Sequence, residues 1–132
     1  MKRRIASEEH ILDALKKVIR EYKIVRSQKR LKELVSDYLI NKNNVYLVSE
    51  RRLRRTAARA DFIEIEIHAR EGKIVQEPLE TCPVCGEKLK KIKSPTIWGD
   101  KATFIYRCKI CGYKTGARRR IPTRYIFHLK GQ

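Results

Sequence analysis

The chain has 132 residues, with 32 Lys and Arg against 15 Asp and Glu, and a formal charge of +17 at pH 7. A hydrophobic fraction of 42% is enough for a core, and 36% charged residues with a mean hydropathy of −0.56 predict a soluble chain of one domain or two small ones. No run approaches the roughly 18 apolar residues of a membrane helix, so no membrane is expected, and a pI near 10.1 points to an abundant polyanion as partner, nucleic acid first.

The opening MKRRIASEEH turns polar before an apolar leader can form, which predicts a cytoplasmic protein. Ser7 is placed to cap a first helix with Glu8 and Glu9 in its opening turn, where the helix dipole favours acid. Ile11, Leu12, Leu15, Val18, Ile19 and Tyr22 then form one stripe. Ser27 caps a second helix with Leu31, Leu34, Val35, Tyr38 and Leu39 along one side, broken by Asn41 to Asn44. Val45 to Val48 is a short β-prone run.

Ser49 caps the segment ERRLRRTAARA. Leu53, Thr56, Ala57 and Ala60 fall on one side of it, and Arg51, Arg55, Ala58 and Arg59 on the other, flanked by Arg52 and Arg54. The outer face is thus five arginines around an alanine small enough to let the helix approach a surface closely. FIEIEIHAR next alternates Ile63, Ile65, Ile67 and Ala69 with Glu64, Glu66, His68 and Arg70, the period of a half-buried strand. Glu71-Gly72 reads as a turn into a return strand, Lys73 to Gln76.

Three short helices followed by a β-hairpin, with a basic third helix, resemble the winged helix-turn-helix DNA-binding domain over about residues 7 to 77. The resemblance implies a third helix lying in the major groove, with Arg51, Arg52, Arg55 and Arg59 toward it, and a hairpin wing on the flanking backbone. Glu64 and Glu66, on the exposed side of the wing strand, depart from a surface meant for phosphates.

Pro78 marks a boundary, giving an expected winged-helix unit over 1–77 and a second unit over 78–132. Through Leu79 the chain carries 19 Lys and Arg against 12 acids, and beyond it 13 against 3. All four cysteines lie in two CxxC pairs, Cys82 with Cys85 and Cys108 with Cys111, which in a reducing compartment signals metal ligation rather than disulfides. Gly86 and Gly112 follow the second cysteine of each pair, where a knuckle needs a permissive backbone. The 22 residues between Cys85 and Cys108 fit a β-hairpin whose tip holds Pro95, Trp98, Gly99 and Asp100.

This half looks like a zinc ribbon over about 80–130, so the expected fold is α+β: a winged helix of three helices plus a β-hairpin, followed by a small all-β ribbon. Four cysteines would hold one structural Zn²⁺ with no open position, a rubredoxin-like iron site being the chemical alternative. Lys90, Lys91 and Lys93 on the first limb, then Lys114, Arg118, Arg119, Arg120 and Arg124, are candidate phosphate contacts together with Arg51, Arg52, Arg54, Arg55 and Arg59. Pro122 opens a last strand, RYIFHL. Tyr106, Tyr113, Tyr125 and Phe127 are assigned to packing, and His10, His68 and His128 are scattered without ligand spacing.

No glycine-rich phosphate loop, HExxH or GxSxG is present, so no enzyme is expected. The two resemblances together imply a DNA-binding transcriptional regulator with a C-terminal zinc ribbon, similar to predicted regulators of archaea. An RNA-binding or ribosome-associated ribbon protein and a module docking on the transcription machinery are the alternatives, and a homodimer through the first helix stays open.

Overall fold

The computed structural model describes residues 2–40, 44–74, 79–94, 103–116 and 118–131. The fold is mixed α and β. Strand β1 (Lys2–Ile5) pairs in parallel with β3 (Asn44–Leu47). Between them run α1 (Glu8–Tyr22), β2 (Ile24–Val25) and α2 (Gln28–Tyr38), and α3 (Glu50–Arg59) follows. The three serine caps form as the sequence dictates: Ser7, Ser27 and Ser49 accept from the amides of His10, Arg30 and Arg52 at 3.2, 3.1 and 3.1 Å. Ile11, Leu15, Val18 and Ile19 of α1, Leu31, Leu34 and Val35 of α2, and Leu53 and Ala57 of α3 are buried in one core. No helix among the described residues is long and apolar enough to cross a membrane.

Strand β4 (Ile63–Ile74) corrects the expected local hairpin. It runs through Glu71 and Gly72 without turning, and its partner is β8 (Arg118–Leu129), the last strand of the chain. The return strand expected at Lys73 to Gln76 does not form at Lys73 and Ile74, which continue β4 with Ile74 opposite Arg118; Val75 and Gln76 lie outside the described residues. The last strand also begins at Arg118 rather than after Pro122. Pro122 sits opposite Ala69 at a register shift, one of the few sheet positions where a missing N–H is tolerated.

β8 also pairs with β2, Val25 opposite Phe127, so the sheet order is β2–β8–β4. The C-terminal strand, expected with the second unit, is therefore the central strand beneath the helices, and Phe127 is fully buried among them. Residues 79–116 stand between the two long strands. They form a separate sheet, β5 (Lys90–Ser94), β6 (Thr103–Arg107) and β7 (Lys114–Thr115), with β5 and β6 antiparallel as the hairpin expected between the cysteine pairs. The expected boundary at Pro78 and the hairpin tip with Trp98 lie outside the described residues.

Candidate metal centre and basic surfaces

Two near-identical turns build the metal centre. In the first, the Cys82 amide donates to Glu87 O at 2.8 Å and the Gly86 amide to Cys82 O at 3.0 Å; in the second, Cys108 donates to Tyr113 O at 2.8 Å and Gly112 to Cys108 O at 3.2 Å. Gly86 and Gly112 both adopt φ 81°, the left-handed conformation in which a side chain is strained. The four sulfurs consequently converge within 4.8 Å of one another. Cys82 Sγ and Cys111 Sγ are 3.5 Å apart, and Cys85 Sγ and Cys108 Sγ 3.3 Å. Those separations are far beyond a disulfide bond and near the roughly 3.8 Å edge of a tetrahedron with metal–sulfur distances of about 2.3 Å. The cysteines are thus close enough to hold one metal ion.

The sulfurs also act on one another electrostatically. A hydrogen bond with Cys111 draws the Cys82 thiol well below its ordinary value, whereas burial pushes Cys85 up and the contact with Cys82 pushes Cys111 up. Four adjacent sulfurs cannot all ionise without a cation among them. The Val84 amide points at Cys82 Sγ, 3.4 Å away, a donor suited to a thiolate.

The arginines of α3 are not the free ridge that the sequence suggested. Ala58 is buried against Cys82, Val84, Cys85, Cys108 and Tyr113, so the surface that the helix approaches is the protein's own first knuckle. Arg54 donates from Nε to Val84 O at 2.7 Å and reaches Gln28 and Pro83 O with its other nitrogens, its guanidinium lying 5.0 Å from the Tyr125 ring centre. Arg59 donates to Cys85 O at 3.1 Å and pairs with Glu87 at 2.6 Å. Arg55 lies over Gly86, and Arg52 donates to Ala6 O. Of the five, Arg51 remains exposed with no hydrogen bond or ion pair among the described residues.

The other candidates stay at the surface. Lys90, Lys91, Lys114, Arg118, Arg120 and Arg124 are exposed; Arg124 donates to Arg26 O at 2.9 Å, and Arg119 lies half-buried with its guanidinium 5.8 Å from the Tyr106 ring centre. Lys93 belongs to β5, but its side chain lies outside the described residues. One functional candidate escaped the sequence: Arg107. The register sets Lys90 opposite Arg107 and Arg107 opposite Lys114, a row of three exposed cations across the small sheet. Its only sequence signal is its place beside Cys108, which says nothing of register.

The histidines are less scattered than they read. His68 and His128 both flank Glu66, at 2.5 and 3.4 Å, and the hydrogen bond from His68 first, then the charge of both rings, holds that carboxyl below its ordinary range. Comparison with protein families, with curated proteins and with solved structures finds no match to this chain.

Proposed function

We propose that the protein binds nucleic acid, duplex DNA in the first place, as a regulator built from a winged helix and a zinc ribbon, and that it grips phosphates with strand-borne cations rather than with α3 in a groove. Three capped helices on the β2–β8–β4 sheet support the winged-helix reading, with the β4–β8 pair as a wing whose two strands are separated in sequence by the ribbon. Two matching cysteine turns flanking an antiparallel hairpin support the ribbon, and an all-sulfur tetrahedron favours a closed structural Zn²⁺ site.

The observation that carries the proposal is the row Lys90, Arg107 and Lys114. Like charges directly opposite on neighbouring strands destabilise a sheet, and here three stand in line over about 10 Å. None forms an ion pair among the described residues. A polyanion laid across the row offsets that repulsion. Arg118 and Arg120 extend the basic surface, because the Arg120 amide donates to Thr115 Oγ1 at 3.0 Å and anchors the start of β8 beside β7.

The test is binding to duplex DNA and to structured RNA across a salt series. Replacing Lys90, Arg107 and Lys114 together by alanine is expected to weaken DNA binding at about 150 mM salt irrespective of sequence, and to flatten the log-log salt dependence by about 0.9 per lost phosphate contact. An unchanged slope defeats the cation row, and tight RNA binding with no affinity for duplex DNA defeats the DNA reading.

A further inference from the structure

Arg54, Arg55 and Arg59 meet the first knuckle at successive positions: Arg54 at the carbonyls of Pro83 and Val84, Arg59 at the Cys85 carbonyl and the Glu87 carboxylate, and Arg55 at Gly86 between them. Arg54 and Arg59 have acceptors at hydrogen-bond distance. Arg55 differs: its Nε is buried with no hydrogen-bond partner, and among the described residues no carboxylate pairs with it. A guanidinium cannot shed its charge at any pH that a protein tolerates, and a half-buried cation without a counter-charge is costly. Four thiolates with one divalent cation leave two negative charges, and Ala58, one helical turn from Arg54 and Arg55, belongs to the buried cluster that holds Cys82, Cys85 and Cys108.

We infer that Arg55, held in place by Arg54 and Arg59, is the counter-cation of the metal–thiolate centre, so that the outer face of α3 serves metal retention. The inference rests on the zinc reading above and goes beyond it, because it gives the most arginine-rich element of the chain a task that is not nucleic-acid contact. Arg54 and Arg59 are positioning residues that fix the helix on the knuckle through carbonyl oxygens, whereas Arg55 contributes its charge. A bound divalent metal would keep all four cysteines as thiolates, and the two negative charges left over are what the Arg55 guanidinium offsets.

The experiment measures Zn²⁺ affinity of the full chain by competition with a chromophoric chelator, for wild type and for Arg55→Gln, Arg55→Lys and Arg51→Gln. Glutamine keeps a donor but loses the charge, lysine keeps the charge, and Arg51 lies on the same helix away from the knuckle. Arg55→Gln is expected to lose about 10- to 100-fold in affinity, the usual cost of removing a partner of the ligand shell, while Arg55→Lys and Arg51→Gln stay within about threefold of wild type. Cobalt substitution provides a second readout that does not depend on Zn²⁺ recovery: tetrahedral absorption bands of full intensity in Arg55→Gln at saturating metal show an intact site that merely binds more weakly. Equal affinities for wild type and Arg55→Gln, or equal losses in the glutamine and lysine variants, overturn the counter-cation. A wild-type chain that takes up no Zn²⁺ overturns the metal reading, and the inference with it.

Discussion

Gly86 and Gly112 occupy equivalent places in the two knuckles with the same φ of 81°, yet their surroundings differ. A Cβ on Gly112 meets nothing within 4 Å, whereas one on Gly86 lies 2.9 Å from Arg55 Cζ. Alanine at either position carries the left-handed backbone penalty of about 1–2 kcal/mol. The end of an arginine can swing aside, so Gly86→Ala is expected to cost little more than Gly112→Ala in denaturant midpoint but to release Zn²⁺ more readily, since Arg55 is driven off the knuckle. Parallel denaturation and chelator titrations of the two variants check this. Tyr113 and Tyr125 provide a pH signature. Burial raises both phenols above their ordinary value, so the fold favours the neutral form. Unfolded phenols ionise near pH 10; the linked stability is therefore fully present below that value and lost as pH rises through the folded ones. Phenolate absorbance should show these two rings ionising above the range of unfolded phenols, and Tyr113→Phe, which deletes the hydrogen bond to Arg120 O, should cost about 0.5–1.5 kcal/mol at neutral pH.

Among the elements, α3 separates what a sequence pattern reports from what it leaves out. Its inner face was legible because Leu53, Thr56 and Ala57 recur at helical spacing, and all three are buried. Its outer face was legible as arginine-rich, but periodicity identifies a polar face without saying what covers it. Ala58 was the clue, a small residue kept among five long ones where another backbone comes close. The cysteine cluster, by contrast, could be read in full, since CxxC spacing fixes local geometry that the rest of the fold only has to bring together. β4 shows the opposite limit. Its alternation announced a half-buried strand, yet nothing local named β8, some fifty residues on, as its partner, and the Glu71-Gly72 turn was a local substitute for a long-range pairing. Phe127 shows what that pairing holds. It is fully buried with Val25, Ile63 and the helices, so Phe127→Ala is expected to cost about 3–5 kcal/mol and to lower the helical circular dichroism melt, not only loosen the chain terminus.

For the whole molecule, the position of β8 decides how the chain divides. A fragment of residues 1–77 keeps all three helices but loses the central strand of their sheet, leaving two-residue β2 without β8, its partner among the described residues, and the core without Phe127. Isolated helices of 10 to 15 residues are marginal in water, so this fragment is expected to be largely unfolded by circular dichroism. A different excision respects the topology. Ile74 and Arg118 are paired neighbours, so replacing residues 75–117 by Asn-Gly closes β4 and β8 as a tight hairpin. That chain should fold around the same core, bind no Zn²⁺, and expose Ala58 with its arginines. It also lacks Lys90, Arg107 and Lys114. If the cation row binds the phosphate polymer, affinity falls although Arg54, Arg55 and Arg59 have been uncovered; if α3 were the reading element, unmasking it should raise affinity and sharpen base preference. Selection from random duplex DNA, run on the intact and shortened chains together, distinguishes the two, and a gain in sequence preference by the shortened chain would remove the strand-borne cations from the account of binding.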